Sequence, residues 1–365
     1  MRKYLLLYFI PALLIGVISC QRDDDEPPAR ELKAFSRLYI STSDYQAGAS
    51  TSLNNVWVID SVDQATLPKK DTIYSYESAA KGGRTIHYSA NGGLIFHGSI
   101  NTPGTSDTAV QVLSVNLKGN IGYKGKIANR RYDNIRGLFY TVVNNGLLSE
   151  DYLLALNKSN RDEFGNLFVF NRPQNSGSFR IPSFRIPLDY VPWGVTVSDK
   201  DVYVVKTGAE GGIVAYKELT QSFITKKDTL LNVDPNFTLT IKGSSNLRGI
   251  SYSKVKDVLV MTDYSIEGNT IQDGRILIFD NFSSHATSKE ISPTRIIQGV
   301  NSKLVQPMDI AIDPRVEGKY IYVADPGEGA KKVYRFSITD EGDIAPNAEF
   351  SIKGRTPQSI SLDAR

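Results

Sequence analysis

Thr356-Pro357-Gln358-Ser359-Ile360-Ser361-Leu362-Asp363, close to the end of the chain at Arg365, reads as a β-strand with no partner after it. Arg37-Leu38-Tyr39-Ile40-Ser41-Thr42 opens the folded part with the opposite defect, a strand with none before it. Placed end to end, the two rebuild a pattern that stands intact at Pro307-Met308-Asp309-Ile310-Ala311-Ile312-Asp313 followed by Lys319-Tyr320-Ile321-Tyr322-Val323-Ala324-Asp325. A last strand that completes the first repeat implies a ring closed by joining its own ends.

Five more segments share the plan of Met308-Asp309-Ile310-Ala311-Ile312: Arg84-Thr85-Ile86-His87-Tyr88, Arg136-Gly137-Leu138-Phe139-Tyr140, Trp193-Gly194-Val195-Thr196-Val197, Arg248-Gly249-Ile250-Ser251-Tyr252 and Gln358-Ser359-Ile360-Ser361-Leu362. Each runs from a long side chain through a small residue, an aliphatic and a mostly small residue to an aliphatic or aromatic. They recur roughly every 50 to 60 residues, the spacing of a repeat architecture. Between them lie short apolar or alternating runs bounded by Gly, Asn, Asp and Ser, such as Leu94-Ile95-Phe96-His97 and Val110-Gln111-Val112-Leu113, which are strand signals. No amphipathic helix longer than about ten residues is visible. About four strands per unit make a blade, so the reading is an all-β, six-bladed β-propeller over residues 35–365 with ring closure by the C-terminal strand. Seven blades would need another inner strand, for which only the long third and fifth units have room. Open, such an array would leave two apolar blade faces in water, so loss of the clasp should destabilise the whole domain.

The unit containing Pro307 to Ile312, Tyr322-Val323-Ala324-Asp325 and Val333-Tyr334-Arg335-Phe336 resembles an NHL repeat, and Pro192-Trp193-Gly194-Val195 keeps the first part of that pattern. Asp309 stands where the family usually has glycine, and Gly327-Glu328-Gly329 replaces the usual turn.

The N-terminus reads as a secretion signal over residues 1–19, with Arg2 and Lys3, an apolar run from Tyr4 to Ile18, and Ser19 before Cys20. The run is short for a membrane span, which needs about 20 apolar residues. It resembles a bacterial lipoprotein signal, which implies lipidation of Cys20, with Val17 where the family prefers leucine. Residues 20–34 then form a charged, proline-bearing tether with nothing to bury. The acidic run Asp23-Asp24-Asp25-Glu26 resembles the surface-export signal of Bacteroidota lipoproteins, implying an outer-membrane lipoprotein on either the external or the periplasmic face. Cys20 is the only cysteine, so the folded domain has no disulfide and no thiolate. The net charge of +3 falls to +1 without Arg2 and Lys3, and no basic run with interleaved aromatics occurs, which speaks against nucleic acid as a partner.

In a propeller the first residues of the inner strands line the axial mouth. Here they are Arg84, Arg136, Trp193, Arg248, Met308 and Gln358, with Asp309 behind them. Guanidinium forks suit carboxylate or sulfate, and indole suits a sugar face, so the ring reads as an anion or acidic-carbohydrate site. The alternative is that these arginines bridge blades to Asp309 or to backbone carbonyls and plug the mouth. His87 reads as a packed channel residue, and His97 and His285 belong to no Ser-His-Asp arrangement. The expected role is a binding or assembly module for an envelope protein or glycan, with no cofactor. The alternative is a metal-dependent lactonase or esterase resembling the gluconolactonase (SMP-30-like) proteins, whose resemblance implies Ca²⁺ or Zn²⁺ at the axis. Asp309 would be among its ligands, with Asn134, Asn246 and Asp263 approaching from loops.

Overall fold

Period-two alternation gives each strand one face for each neighbouring blade, and five of the six sheets have four strands while the other has five. The computed structural model describes residues 35–365 apart from 48–52, 65–72, 103, 117, 145, 147–148, 176–178 and 353. The expected signal and tether, with Cys20, lie outside the described residues.

Blade 1 contains β1 (Ser36–Thr42), β2 (Val56–Asp60) and β3 (Ile73–Tyr76). Blade 2 is β4 (Gly83–Ser89) to β7 (Ile121–Ala128), through β5 (Leu94–Ser99) and β6 (Ala109–Val115). Blade 3 is β8 (Ile135–Asn144), β9 (Ser149–Asn157), β10 (Asn166–Asn171) and β11 (Phe184–Pro187). Blade 4 is β12 (Pro192–Ser198), β13 (Asp201–Lys206), β14 (Gly212–Tyr216) and β15 (Phe237–Ile241), with a seven-residue helix α1 (Leu219–Thr225) between the last two. Blade 5 is β16 (Ile250–Ser253), β17 (Val258–Glu267), β18 (Thr270–Asp280) and β20 (Arg295–Gln298). The intervening β19 (Lys289–Ile291) joins blade 4 as a fifth strand parallel to β15. Blade 6 is β21 (Asp309–Ile312), β22 (Tyr320–Asp325), β23 (Lys332–Ser337) and β24 (Ala348–Phe350).

The innermost strand of blade 1 is β25 (Pro357–Ala364), which pairs antiparallel with β1 from Ser36↔Ala364 to Thr42↔Pro357. Reciprocal backbone bonds between Phe35 and Arg365, at 2.8 and 3.0 Å, lengthen the clasp. Each inner strand touches the next around the axis, β25 to β4, β8, β12, β16, β21 and back to β25. The protein is a six-bladed β-propeller. The surplus of the third and fifth units goes into the long hairpins β8–β9 and β17–β18 and into β19, not into a seventh inner strand.

Six apolar clusters form the core among the described residues, one at each seam between blades. The seam of blades 3 and 4 is the broadest, with Phe223 of α1 against Tyr152 and Phe184. The seam of blades 1 and 2 has the fewest buried apolar residues, Tyr39, Val56, Val58, Ile86, Ile95 and Leu113. Tyr39 stacks on the partly buried Tyr88 at 4.5 Å there. Beside it, fully buried His97 joins the two blades through Ser41 Oγ at 2.8 Å and Ser78 Oγ at 2.7 Å.

Inner strands of adjacent blades do not share a backbone ladder, so the second and fourth columns carry their contact. Gly194 and Gly249 let the backbones approach: a Cβ would stand 2.6 Å from Arg248 O and 2.7 Å from Asp309 Cα, respectively. Elsewhere a short polar side chain takes the free N–H of the next strand. Ser251 accepts from Ile312 N at 3.2 Å, Ser359 from Ile86 N at 3.1 Å, and Ser361 from Tyr88 N at 2.9 Å.

Candidate functional site

All six inner strands line an axial cavity of about 270 Å³, and their first residues form its rim. Trp193 stands between the arginines of the two adjoining blades. The Arg248 guanidinium lies 3.9 Å from the centre of the indole and that of Arg136 4.5 Å away, with Arg84 at 5.9 Å. The indole is therefore occupied as a cation–π platform, and its stacking partner is guanidinium rather than the sugar face that residue type alone suggests.

The rim arginines are aimed by a relay repeated on two blades. At the end of β9, Asn157 accepts from Asn134 N at 3.0 Å, and Asn134 Oδ1 in turn accepts from Arg84 Nη1 at 2.6 Å. At the equivalent place on β17, Asp263 accepts from Asn246 N at 2.6 Å, and Asn246 Oδ1 accepts from Arg248 Nη2 at 3.3 Å. Asp325 of β22 holds Val305 N and Gln306 N in the same way, at 2.7 and 2.9 Å. Thr207 Oγ1 and the Tyr264 hydroxyl complete the hold on Arg248, at 2.5 and 2.8 Å. Sequence reasoning missed both, because they sit on loops and strands with no signature of their own.

No carboxylate forms a salt bridge with Arg84, Arg136 or Arg248 among the described residues. Asp263 acts on Arg248 from a distance, but it is paired with Arg275 Nη2 at 2.6 Å. Two buried donors, Nε of Arg136 and Nε of Arg248, have no acceptor among the described residues. Burial, followed by the charge of Arg248, pushes Arg84 down to about 10. Burial, then Arg84 and Arg248, does the same to Arg136. All three still carry charge at neutral pH, in a site where their charged forms are disfavoured. The salt-bridged plug is therefore not what is built: Arg136 reaches the backbone carbonyl Pro192 O of the next blade at 3.4 Å, and Arg84 and Arg248 bridge blades through the uncharged side chains of Asn134 and Thr207.

The rest of the ring behaves differently. Asp309 lines the cavity, where water reaches it although protein surrounds it, and burial pushes its carboxyl up to about 6. One oxygen accepts from Ile310 N at 2.9 Å; the other accepts from Ile360 N at 3.0 Å and from the Ser359 hydroxyl. It serves the seam between blades 6 and 1 and touches no rim arginine. Gln358 donates through Nε2 to Ser43 Oγ at 3.2 Å, and Met308 adds an uncharged side chain to the rim.

Below the rim, His87 lines the cavity with its ring 4.7 Å from that of Phe139, and burial pushes it down to about 4. His97 is committed to Ser41 and Ser78, and His285 lies against Phe282 on the outside of blade 5. Asn134, Asn246 and Asp263, the loop oxygens considered for a metal, all serve the arginine relays. Among the described residues no three His, Cys, Asp or Glu side chains cluster with metal-binding spacing. Three guanidiniums at the same opening oppose a divalent cation there.

A second cavity, of about 340 Å³, lies on blade 3 between Arg130, Arg131, Arg161 and Arg185, with Asp133 and Asp162 among them. The Asn129-Arg130-Arg131 run was its only sequence signal. No protein-family model matches the chain, and no curated protein matches it.

Proposed function

We propose that this protein is a lipid-anchored binding or assembly module of the cell envelope, held in the outer membrane through Cys20. In this reading its axial rim takes an anionic group of an envelope protein or glycan. The observation that carries it is the rim itself: Arg84, Arg136 and Arg248 converge on Trp193 with no counter-ion among the described residues, while Asp263 and Asp309 are spent on structure. An arriving oxyanion relieves the mutual repulsion of the three guanidiniums, so its binding energy is concentrated where the protein has left charge uncompensated. No resident cofactor is needed. The anchor follows from the resemblance of residues 1–20 to a lipoprotein signal, and the Pro307 to Phe336 unit supports an NHL-like ring.

Capture from a detergent extract of the envelope tests the reading. The protein should retain a partner or glycan that Arg84→Ala and Arg136→Ala variants, folded by their melting curves, release; equal capture by all would refute it. Cys20→Ser should move the protein from the membrane to the soluble fraction, and protease treatment of intact cells tells the external from the periplasmic face.

A further inference from the structure

The channel beneath the rim is as distinctive as the rim. Third-column residues such as Ile86, Leu138 and Ile250 turn into the seams, leaving the second and fourth columns to shape the throat. On blades 3, 4 and 5 the second column is glycine, and the fourth column on blades 4, 5, 6 and 1 is Thr196, Ser251, Ala311 and Ser361. Those three serine and alanine positions and Thr196 are short, and both serines are turned onto the neighbouring backbone. Blades 2 and 3 instead present His87 and Phe139, ring against ring at 4.7 Å. One wall is thus aromatic and the opposite wall is small, which leaves space beside a flat surface. Among the described residues the ring nitrogens of His87 have no hydrogen-bond partner, and burial keeps the imidazole uncharged at neutral pH. Asp309 and Ser359, second-column residues nearer the rim, are bonded to each other and to backbone.

We propose that the axial channel is a receptor for a slender small molecule with an oxyanion head and an uncharged, aromatic-bearing body, the class of arylalkyl carboxylates. The head sits among Arg84, Arg136 and Arg248, and the body descends along His87 and Phe139. From the Arg84 level to the His87 level is three residues of strand, about 10 Å, which a short arylalkyl chain spans. This rests on the anion-binding reading of the rim and adds the throat to it. A bulky polymer would engage the rim alone, because the cavity within the inner strands holds only about 270 Å³.

The test is calorimetric titration of the purified protein with acetate, 3-phenylpropionate and the uncharged 3-phenylpropanamide. The expected result is at least tenfold tighter binding of phenylpropionate than of acetate, and no detectable binding of the amide. Phe139→Ser should remove most of that tenfold gain while leaving acetate unchanged. His87→Ala, which alters the same wall without touching a seam cluster, provides a second variant should Phe139→Ser fail to fold. Equal affinity for acetate and phenylpropionate, or no loss in either variant, overturns the throat and leaves the anionic rim standing. Binding of no anion at all overturns both.

Discussion

The two halves of the ring use the same strand positions for opposite purposes. On blades 2 to 5 the first column is Arg84, Arg136, Trp193 and Arg248, and the second is glycine on three of the four, so adjoining backbones touch and the charges are left facing the opening. On blades 6 and 1 the first column is Met308 and Gln358, neither charged, and the second is Asp309 and Ser359, whose side chains are consumed in tying one blade to the next. At these axial positions the half that closes the ring pairs Asp309, Gln358 and Ser359, and the half away from the closure keeps the unpaired Nε donors of Arg136 and Arg248. Uncompensated charge is thus placed where its cost falls on seams already carried by large apolar clusters, such as that of blades 3 and 4.

The largest effect that could break this comparison is loss of the clasp. Deleting Thr356 to Arg365 removes the whole inner strand of blade 1 and exposes two blade faces. We expect the cooperative thermal transition of the entire domain to be lost, as read by circular dichroism; an unchanged melting temperature would show that β25 is not what closes the ring. Next, Asp309→Ala leaves the donors of Ile310, Ile360 and Ser359 without their acceptor and should lower stability by about 2 to 3 kcal/mol in denaturant titration. On the other half, Arg84→Ala or Arg136→Ala removes a charge disfavoured where it sits. Such variants should be as stable as the parent or gain about 1 kcal/mol, the pattern of a site held for function rather than stability.

The smallest expected effect is in the pH dependence. Burial between Ser41 and Ser78 pushes His97 down to about 3, below the ordinary histidine value of 6.5, so the unfolded chain binds the proton more readily. Its contribution is therefore complete above pH 6.5 and diminishes as pH falls toward 3, and His87 acts in the same direction down to about 4. Asp309 has the opposite sign: raised to about 6, it contributes most below the ordinary carboxyl value of 3.8 and loses that contribution as pH rises through 6. The melting temperature should fall between pH 6.5 and 4, and His97→Asn should flatten that slope while Asp309→Asn should steepen it. An identical slope in both variants would remove these groups from the acid response.

Much of this was legible in the chain. The unpartnered strands at Arg37 and Thr356 disclosed the closure, and the shared column plan located all six inner strands and hence the residues that converge on the axis. Both follow from period-two patterning, which is written locally. What the residues do to one another was not legible, because it depends on partners brought together by the ring. Asp309 meets Ser359 fifty positions away, and Arg248 meets Thr207 forty-one positions away. The indole of Trp193, exposed on paper to a sugar, is claimed by the arginines of both adjoining blades. The surplus length of the fifth unit became β19, which the chain gives to a neighbouring blade, a pairing that no local pattern encodes.

The most direct measurement is the melting temperature in sodium sulfate against sodium chloride at equal ionic strength, for the parent protein and for the Arg84→Ala/Arg136→Ala double variant. An anion that binds only the folded state raises the transition by mass action. The charged half of the ring predicts a rise of several degrees for the parent, beyond the general salting effect shown by the double variant. A sulfate response of the same size in both would contradict a functional anion site at the axial rim.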